Sequence, residues 1–127
     1  MKPVNLFDLA AQQARWLSVR QSSVASNVAN VNTPGFRATD VEPFEQVLDR
    51  NRVTMAATHP SHISLGQTKD QFTVRETVDR DAAKLPSDNT VVLEQEMLKA
   101  GQVSSAYRLN TALVDTFHRM ILQTLRG

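Results

Sequence analysis

The densest run of asparagines in this sequence falls within Ser26-Asn27-Val28-Ala29-Asn30-Val31-Asn32-Thr33-Pro34-Gly35-Phe36. Asn27, Asn30 and Asn32 place three amides inside six residues. Such amides cap helices, form turns and bind backbone groups. Pro34 lacks an N–H and disfavours helix at Thr33, while Gly35 tolerates positive φ. The run therefore reads as a helix C-terminus and a turn, with the Phe36 ring planted just beyond it.

Groups that could make or break bonds are sparse. His59-Pro60-Ser61-His62 places two imidazoles three residues apart in a loop, but a metal site needs further ligands, and no Cys or fixed carboxylate is offered nearby. The pattern reads as a turn with exposed histidines. His118 falls on a helix seam, where a packed or interfacial histidine is the simpler reading. Glu94 and Glu96 resemble a carboxylate pair, yet they point to different faces of a helix whose first turn favours Glu in any case. No Ser-His-Asp order with a nucleophile elbow is present, and four glycines leave little material for a phosphate loop. The sequence thus predicts no catalytic, cofactor-binding or metal-ligating residues and no enzyme activity. A helix-turn-helix over residues 15–50 fails on Pro34-Gly35 and on the lack of a basic recognition helix, so no nucleic-acid partner is expected.

The elements that must position the amide run are bounded by composition. The chain has 127 residues, 41% hydrophobic, with five Phe, one Trp and one Tyr, enough for one modest domain spanning 1–127. Net charge is +1, with 14 basic and 13 acidic residues interspersed, which argues against a dedicated nucleic-acid or anionic-membrane surface. The absence of Cys excludes a disulfide framework and Cys-ligated zinc. The start, Met1-Lys2-Pro3-Val4-Asn5-Leu6-Phe7-Asp8, forms no uninterrupted apolar stretch, so no cleavable secretory signal and no membrane span are expected.

Residues 5–31 read as a helix, with Asn5 as N-cap and Asp8 in the first turn. Its heptads place Phe7, Ala14, Gln21 and Val28 at one seam position and Ala10, Leu17, Val24 and Val31 at the other; all but Gln21 are apolar. Residues 32–50 hold the turn and a short helix, with Pro43 suited to the first turn. Residues 91–126 read as a second helix, with Leu93, Met97, Ala100, Ser104, Tyr107, Thr111, Val114, His118, Ile121 and Leu125 at 4,3 spacing.

Between them, residues 51–90 are polar and punctuated by Pro60, Gly66 and Pro86, with weak extended candidates at His62–Leu65 and Phe72–Val74. This segment is expected to be flexible or ordered only by a partner. The expected fold class is mainly α: two long terminal helices paired as a coiled-coil-like hairpin, around an irregular, partly extended or disordered middle. Phe7, Leu17, Val24 and Val28 are expected to pack on Tyr107, Val114, Ile121 and Leu125. With Gln21, Ser104, Thr111 and His118 in the seams, the hairpin is marginal alone and suited to completion by neighbours.

Ala29-Asn30-Val31-Asn32-Thr33-Pro34-Gly35-Phe36-Arg37-Ala38 resembles the N-terminal signature of the flagellar rod and hook family, an Ala-Asn-x-x-Thr-Pro-Gly-Phe/Tyr run closing a heptad helix. Asp40 with Phe44, Thr58-His59-Pro60-Ser61-His62-Ile63, and Asn89-Thr90-Val91-Val92-Leu93-Glu94-Gln95-Glu96-Met97 resemble further segments of its short rod members. The resemblance covers nearly the whole chain apart from residues 66–86. Position 92 departs from it, being Val where that family usually has Asp. Thr90 or Asn89 then supplies the helix cap, or the helix begins elsewhere.

The resemblance implies a structural subunit of the flagellar basal body, exported through the flagellum's own type III apparatus without a cleaved signal peptide. It would assemble helically, in the periplasmic space, into the proximal rod that serves as drive shaft for motility. It implies other rod subunits as partners, both FlgC-type and same-type copies, together with a FliE-type adaptor and the membrane ring at the rod base. It implies neither cofactor nor small-molecule ligand. Asn27, Asn30, Asn32, Thr33, Pro34, Gly35 and Phe36 would form the assembly motif that docks on a neighbouring subunit. A soluble helical adaptor or secretion chaperone is the alternative reading of the same helices. A small enzyme would need a pocket-forming core that the sequence does not offer.

Overall fold

The first helix starts where Asn5 can cap it: the Asn5 Oδ1 accepts the Phe7 N–H at 3.0 Å. From there α1 runs over Leu6–Ala29 in a computed structural model that describes residues 5–56, 74–78 and 86–127. A strand β1 (Thr39–Val41), a helix α2 (Phe44–Ala56), a strand β2 (Glu76–Val78) and a helix α3 (Leu93–Arg126) follow. The fold is mainly α, with long helices at both ends, as the periodicity predicts. The histidine pair at 59 and 62, the extended candidate His62–Leu65, and Phe72 and Thr73 lie outside the described residues. Val74 is irregular, and β2 falls just beyond it.

The helices α1 and α3 pair antiparallel. The Tyr107 hydroxyl donates to the Ala14 carbonyl at 3.1 Å, and the Asn110 amide donates to the Ala10 carbonyl at 3.1 Å. On α1 the buried positions are Ala10, Leu17, Ser23, Val24 and Asn27. On α3 they are Glu96, Val103 and Asn110. The face that α3 turns inward is therefore displaced by one residue from the expected seam: Met97 is 64% exposed, and Ser104, Thr111 and His118 are exposed as well. The displacement has a polar cause. Polar side chains of α3 make the bridging contacts: Asn110 and Tyr107 donate to α1 carbonyls and Lys99 pairs with Asp40 of β1, and of these three only Tyr107 lies on the expected seam.

Strands β1 and β2 form an antiparallel pair in the register Thr39↔Val78, Asp40↔Thr77 and Val41↔Glu76. On its other side β1 lies against α1, through Ser23 and Asn27. Helix α2 starts directly after Pro43, whose carbonyl accepts the Gln46 and Val47 N–H groups at 3.0 and 3.3 Å. The Trp16 indole packs on Phe44 with ring centroids 5.9 Å apart and donates to the Glu42 carbonyl at 2.8 Å. The core is small in apolar volume, with Leu17, Val47, Val91 and Val103 at its centre, and the polar Ser23, Asn27, Asn89, Thr90 and Glu96 are as deeply buried. Closure of this fold thus depends on hydrogen-bond matching as well as apolar burial.

Candidate functional site

A helix ends with its last carbonyls unpartnered, and α1 ends at Ala29 with no glycine to reverse the chain at once. Asn30 begins the solution. Its N–H returns to the Ser26 and Asn27 carbonyls at 3.2 and 3.1 Å, and its side-chain Nδ2 donates to the Ser26 carbonyl at 2.8 Å. The Asn30 Oδ1 accepts the Thr33 hydroxyl at 3.1 Å, and the Thr33 N–H meets the Asn30 carbonyl at 3.0 Å. Gly35 then adopts φ 73°, a conformation that strains any residue with a Cβ. Asn32, Thr33, Pro34 and Gly35 form an exposed crest, with Phe36 half-buried behind it.

Asn27 sits beneath the crest, fully buried. Its Nδ2 donates to the Thr39 carbonyl at 2.7 Å, and its Oδ1 accepts the Thr39 N–H at 3.0 Å. The Ser23 hydroxyl adds a bond to the same carbonyl at 3.0 Å. The expected motif residues are therefore gathered into one turn, with Asn27 and Asn30 holding it from inside and residues 32–35 presented outward.

Two further residues complete the site from the far end of the chain. The Asn89 Nδ2 lies 2.9, 3.0 and 2.8 Å from the carbonyls of Asn30, Val31 and Thr33, while its Oδ1 accepts the Val91 N–H at 2.7 Å. The Thr90 hydroxyl accepts the Ala38 N–H at 2.7 Å. Neither residue caps α3: its N-cap position is Val92, which makes no side-chain cap bond. Sequence reasoning places both near a helix start but misses their role across the fold. No signal in the sequence pointed to it, because Asn89 and Thr90 stand beside the start of α3 and so read as its cap.

Beside the turn lies a band of charge. Arg50 grips the Glu42 carboxylate with two bonds of 2.8 Å, and the Arg75 N–H adds a third at 3.0 Å. The Arg50 bonds hold the Glu42 carboxyl below its ordinary pKa; burial opposes this and the Arg75 N–H assists it. Reciprocally, Glu42 raises the Arg50 pKa. On the other side Arg20 and Lys99 share Asp40, at 3.3 and 3.7 Å, and Lys99 also reaches the Glu96 Oε1 at 3.1 Å.

The expected helix-packing residues are placed unequally. Leu17 and Val24 are buried, Tyr107 and Val114 are half-buried, and Phe7, 36% exposed, meets Phe117 edge-on at 5.3 Å between ring centroids. Val28 is 36% exposed at the turn end of α1, Ile121 is 36% exposed, and Leu125 is 77% exposed. The Ala10–Asn110 register puts Leu6 level with about residue 114, so the last turns of α3 run on past it. Leu98, Leu109, Leu113 and Met120, each more than half exposed, fall within a sector of about 60° on one flank of α3.

Among the described residues no group of three His, Cys, Asp or Glu side chains is placed to hold a metal ion, and no helix is long and apolar enough to cross a membrane.

The sequence pattern of the family described as flagella basal body rod protein matches residues 9–37, which span most of α1 and the turn. The chain is 45% identical to the flagellar basal body rod protein FlgB of Agrobacterium fabrum, covering 99% of this chain and 96% of that protein. It is 21% identical to the flagellar basal body rod protein FlgB of Buchnera aphidicola subsp. Baizongia pistaciae, covering 85% of each.

Proposed function

The chain belongs to the flagellar basal body rod protein family, and on that premise we propose that it assembles helically into the proximal part of the rod. It is a structural subunit of the bacterial flagellar basal body, not an enzyme, and serves motility. It assembles with other rod components. In the finer reading its neighbours are copies of itself and FlgC-type subunits, and a FliE-type adaptor and the membrane ring meet it at the rod base. It reaches the periplasmic space through the flagellar type III apparatus without a cleaved signal peptide.

The observation that carries this reading is the crest at Asn32–Gly35. It is exposed, conformationally fixed, and apolar at Pro34, with the Phe36 ring behind it. A turn held this firmly while facing solvent suits docking on a neighbouring subunit. The exposed leucines and methionine on one flank of α3 support the same reading, because large apolar side chains gathered on one exposed face suit a contact surface. Of the expected helix packing, the Ala10–Asn110 register keeps Phe7 near Val114 and Phe117, and the last turns of α3 run past the start of α1. The overhanging end of α3, Ile121 and Leu125, is available to contacts in the assembly.

Fractionation of a tagged copy, with and without a working flagellar export gate, tests the proposal. Recovery in purified basal bodies only when the gate works is the expected outcome. Retention in the soluble cytoplasm in both strains would overturn it in favour of a helical adaptor.

A further inference from the structure

The docking turn is held mainly from outside itself. Within residues 30–36 the local bonds are the two between Thr33 and Asn30 and a long Phe36 N–H to Thr33 carbonyl contact of 3.3 Å, and on the near side only Asn30 and Val31 bond back to residues 26–28 of α1. Against these, six hydrogen bonds join residues 87–90 to the stretch 30–38. Three run from the Asn89 amide to the carbonyls of Asn30, Val31 and Thr33. The Gly35 N–H meets the Ser87 carbonyl at 3.0 Å, the Thr90 N–H meets the Phe36 carbonyl at 3.0 Å, and the Ala38 N–H meets the Thr90 hydroxyl at 2.7 Å.

We infer that Asn89 is a positioning residue that makes the docking turn conditional on closure of the hairpin. The crest takes its shape only when the segment leading into α3 is seated on the end of α1, so a neighbouring subunit meets a formed crest only on a chain whose C-terminal helix is in place. The inference rests on the reading that the crest docks.

The chemistry favours Asn here over any other side chain. Three converging carbonyls form a concentrated acceptor site, and the carboxamide Nδ2 brings two hydrogens to it while Oδ1 pins its own backbone at Val91. At 1% exposure no water replaces it easily. An aspartate of the same size would bring no donor at neutral pH and would set a negative oxygen against three others. The sequence separation of 56 to 59 residues between Asn89 and its three acceptors is what turns a helix cap into a closure sensor. A turn capped by its own neighbours would form regardless of the rest of the chain.

Amide hydrogen exchange on the purified full chain, together with basal-body recovery at matched export, tests this. Asn89→Asp is expected to speed exchange at Thr33, Gly35, Phe36 and Ala38 by about tenfold or more while the middle of α1 is unchanged. Thr90→Val, the milder variant, should affect Ala38 most. Recovery of Asn89→Asp in basal bodies should fall by a similar factor. Unchanged turn exchange in Asn89→Asp overturns the inference. So does equal loss of protection along the whole of α1, or a wild-type chain without protection at these amides. Should Asn89→Asp loosen the turn yet incorporate normally while Pro34→Ala does not, the lock is wrong and the docking reading stands. Should both incorporate normally, the docking reading itself falls.

Discussion

The carboxamide of Asn27 pairs with both backbone groups of Thr39, donating to its carbonyl at 2.7 Å and accepting its N–H at 3.0 Å. It does for the inner edge of β1 what a neighbouring strand would do, and so joins the end of α1 to the β1–β2 pair.

Asn27→Ala is expected to destabilise the chain by about 1–3 kcal/mol, because it leaves the Thr39 N–H without a partner beside a vacated buried site. The Thr39 carbonyl keeps the Ser23 hydroxyl, so the loss falls mainly on the donor side. Denaturant unfolding of wild type and variant checks this. Equal midpoints and slopes would show that the amide contributes nothing net.

The Val92→Asp variant should gain stability. Val92 occupies the N-cap position of a 34-residue helix with φ −108° and ψ 111°, the extended geometry a capping side chain uses, yet it supplies no cap bond. An aspartate there can accept an N–H of the first turn and complement the positive helix end, worth about 0.5–1.5 kcal/mol. Val92 is half-buried, which offsets part of the gain. A lowered thermal midpoint would mean the apolar contact outweighs the cap.

These two sites also mark how far the sequence could be read. Both long helices, the turn at Pro34-Gly35 and the small helix after Pro43 were legible, because periodicity, proline chemistry and glycine freedom act locally. The inward face of α3 was not. Spacing favours Met97 over Glu96, whereas the buried Glu96 gains Lys99 as a partner and Met97 faces solvent. The amides at Asn27, Asn30 and Asn32 stood out as a cluster, but nothing in their spacing reveals that Asn27 serves Thr39 or that the carbonyls of the turn after α1 are met by Asn89. Such partners come from tertiary proximity, which residue types alone leave open. Likewise β2 appears at Glu76–Val78 because β1 offers it an edge, not because of its own pattern.

Acid should weaken the link between α2 and the sheet through Glu42. Its carboxyl is held below its ordinary value of 4.5, chiefly by the two Arg50 bonds. A lowered folded-state pKa means that the stabilisation is fully present above the unfolded value and is lost as pH falls through the folded one. Glu42→Gln should therefore be less stable than wild type at pH 7, with the difference shrinking steadily below about pH 4.5. Urea midpoints of both proteins across pH 7 to 3 check this. A difference independent of pH would show that the Arg50 pair contributes through shape alone.

Substitutions on the crest should separate assembly from export. Pro34 is exposed and Phe36 is half-buried, so Pro34→Ala and Phe36→Ala leave the buried bonds of Asn27 and Asn89 intact while changing what a neighbour would touch. Both are expected to be exported at wild-type levels and to be recovered poorly in basal bodies. Gly35→Ala acts differently. A methyl group there meets no atom within 4 Å, so its only penalty is the strain of φ 73°, on the order of 1 kcal/mol. It should loosen the turn without altering the surface chemistry of Pro34. If assembly needs the shape of the crest, Gly35→Ala impairs motility almost as much as Pro34→Ala; if it needs only the Pro34 and Phe36 side chains, Gly35→Ala swims normally. Normal motility in all three variants would sink the docking role of the turn, and the burden of assembly would pass to the exposed flank of α3.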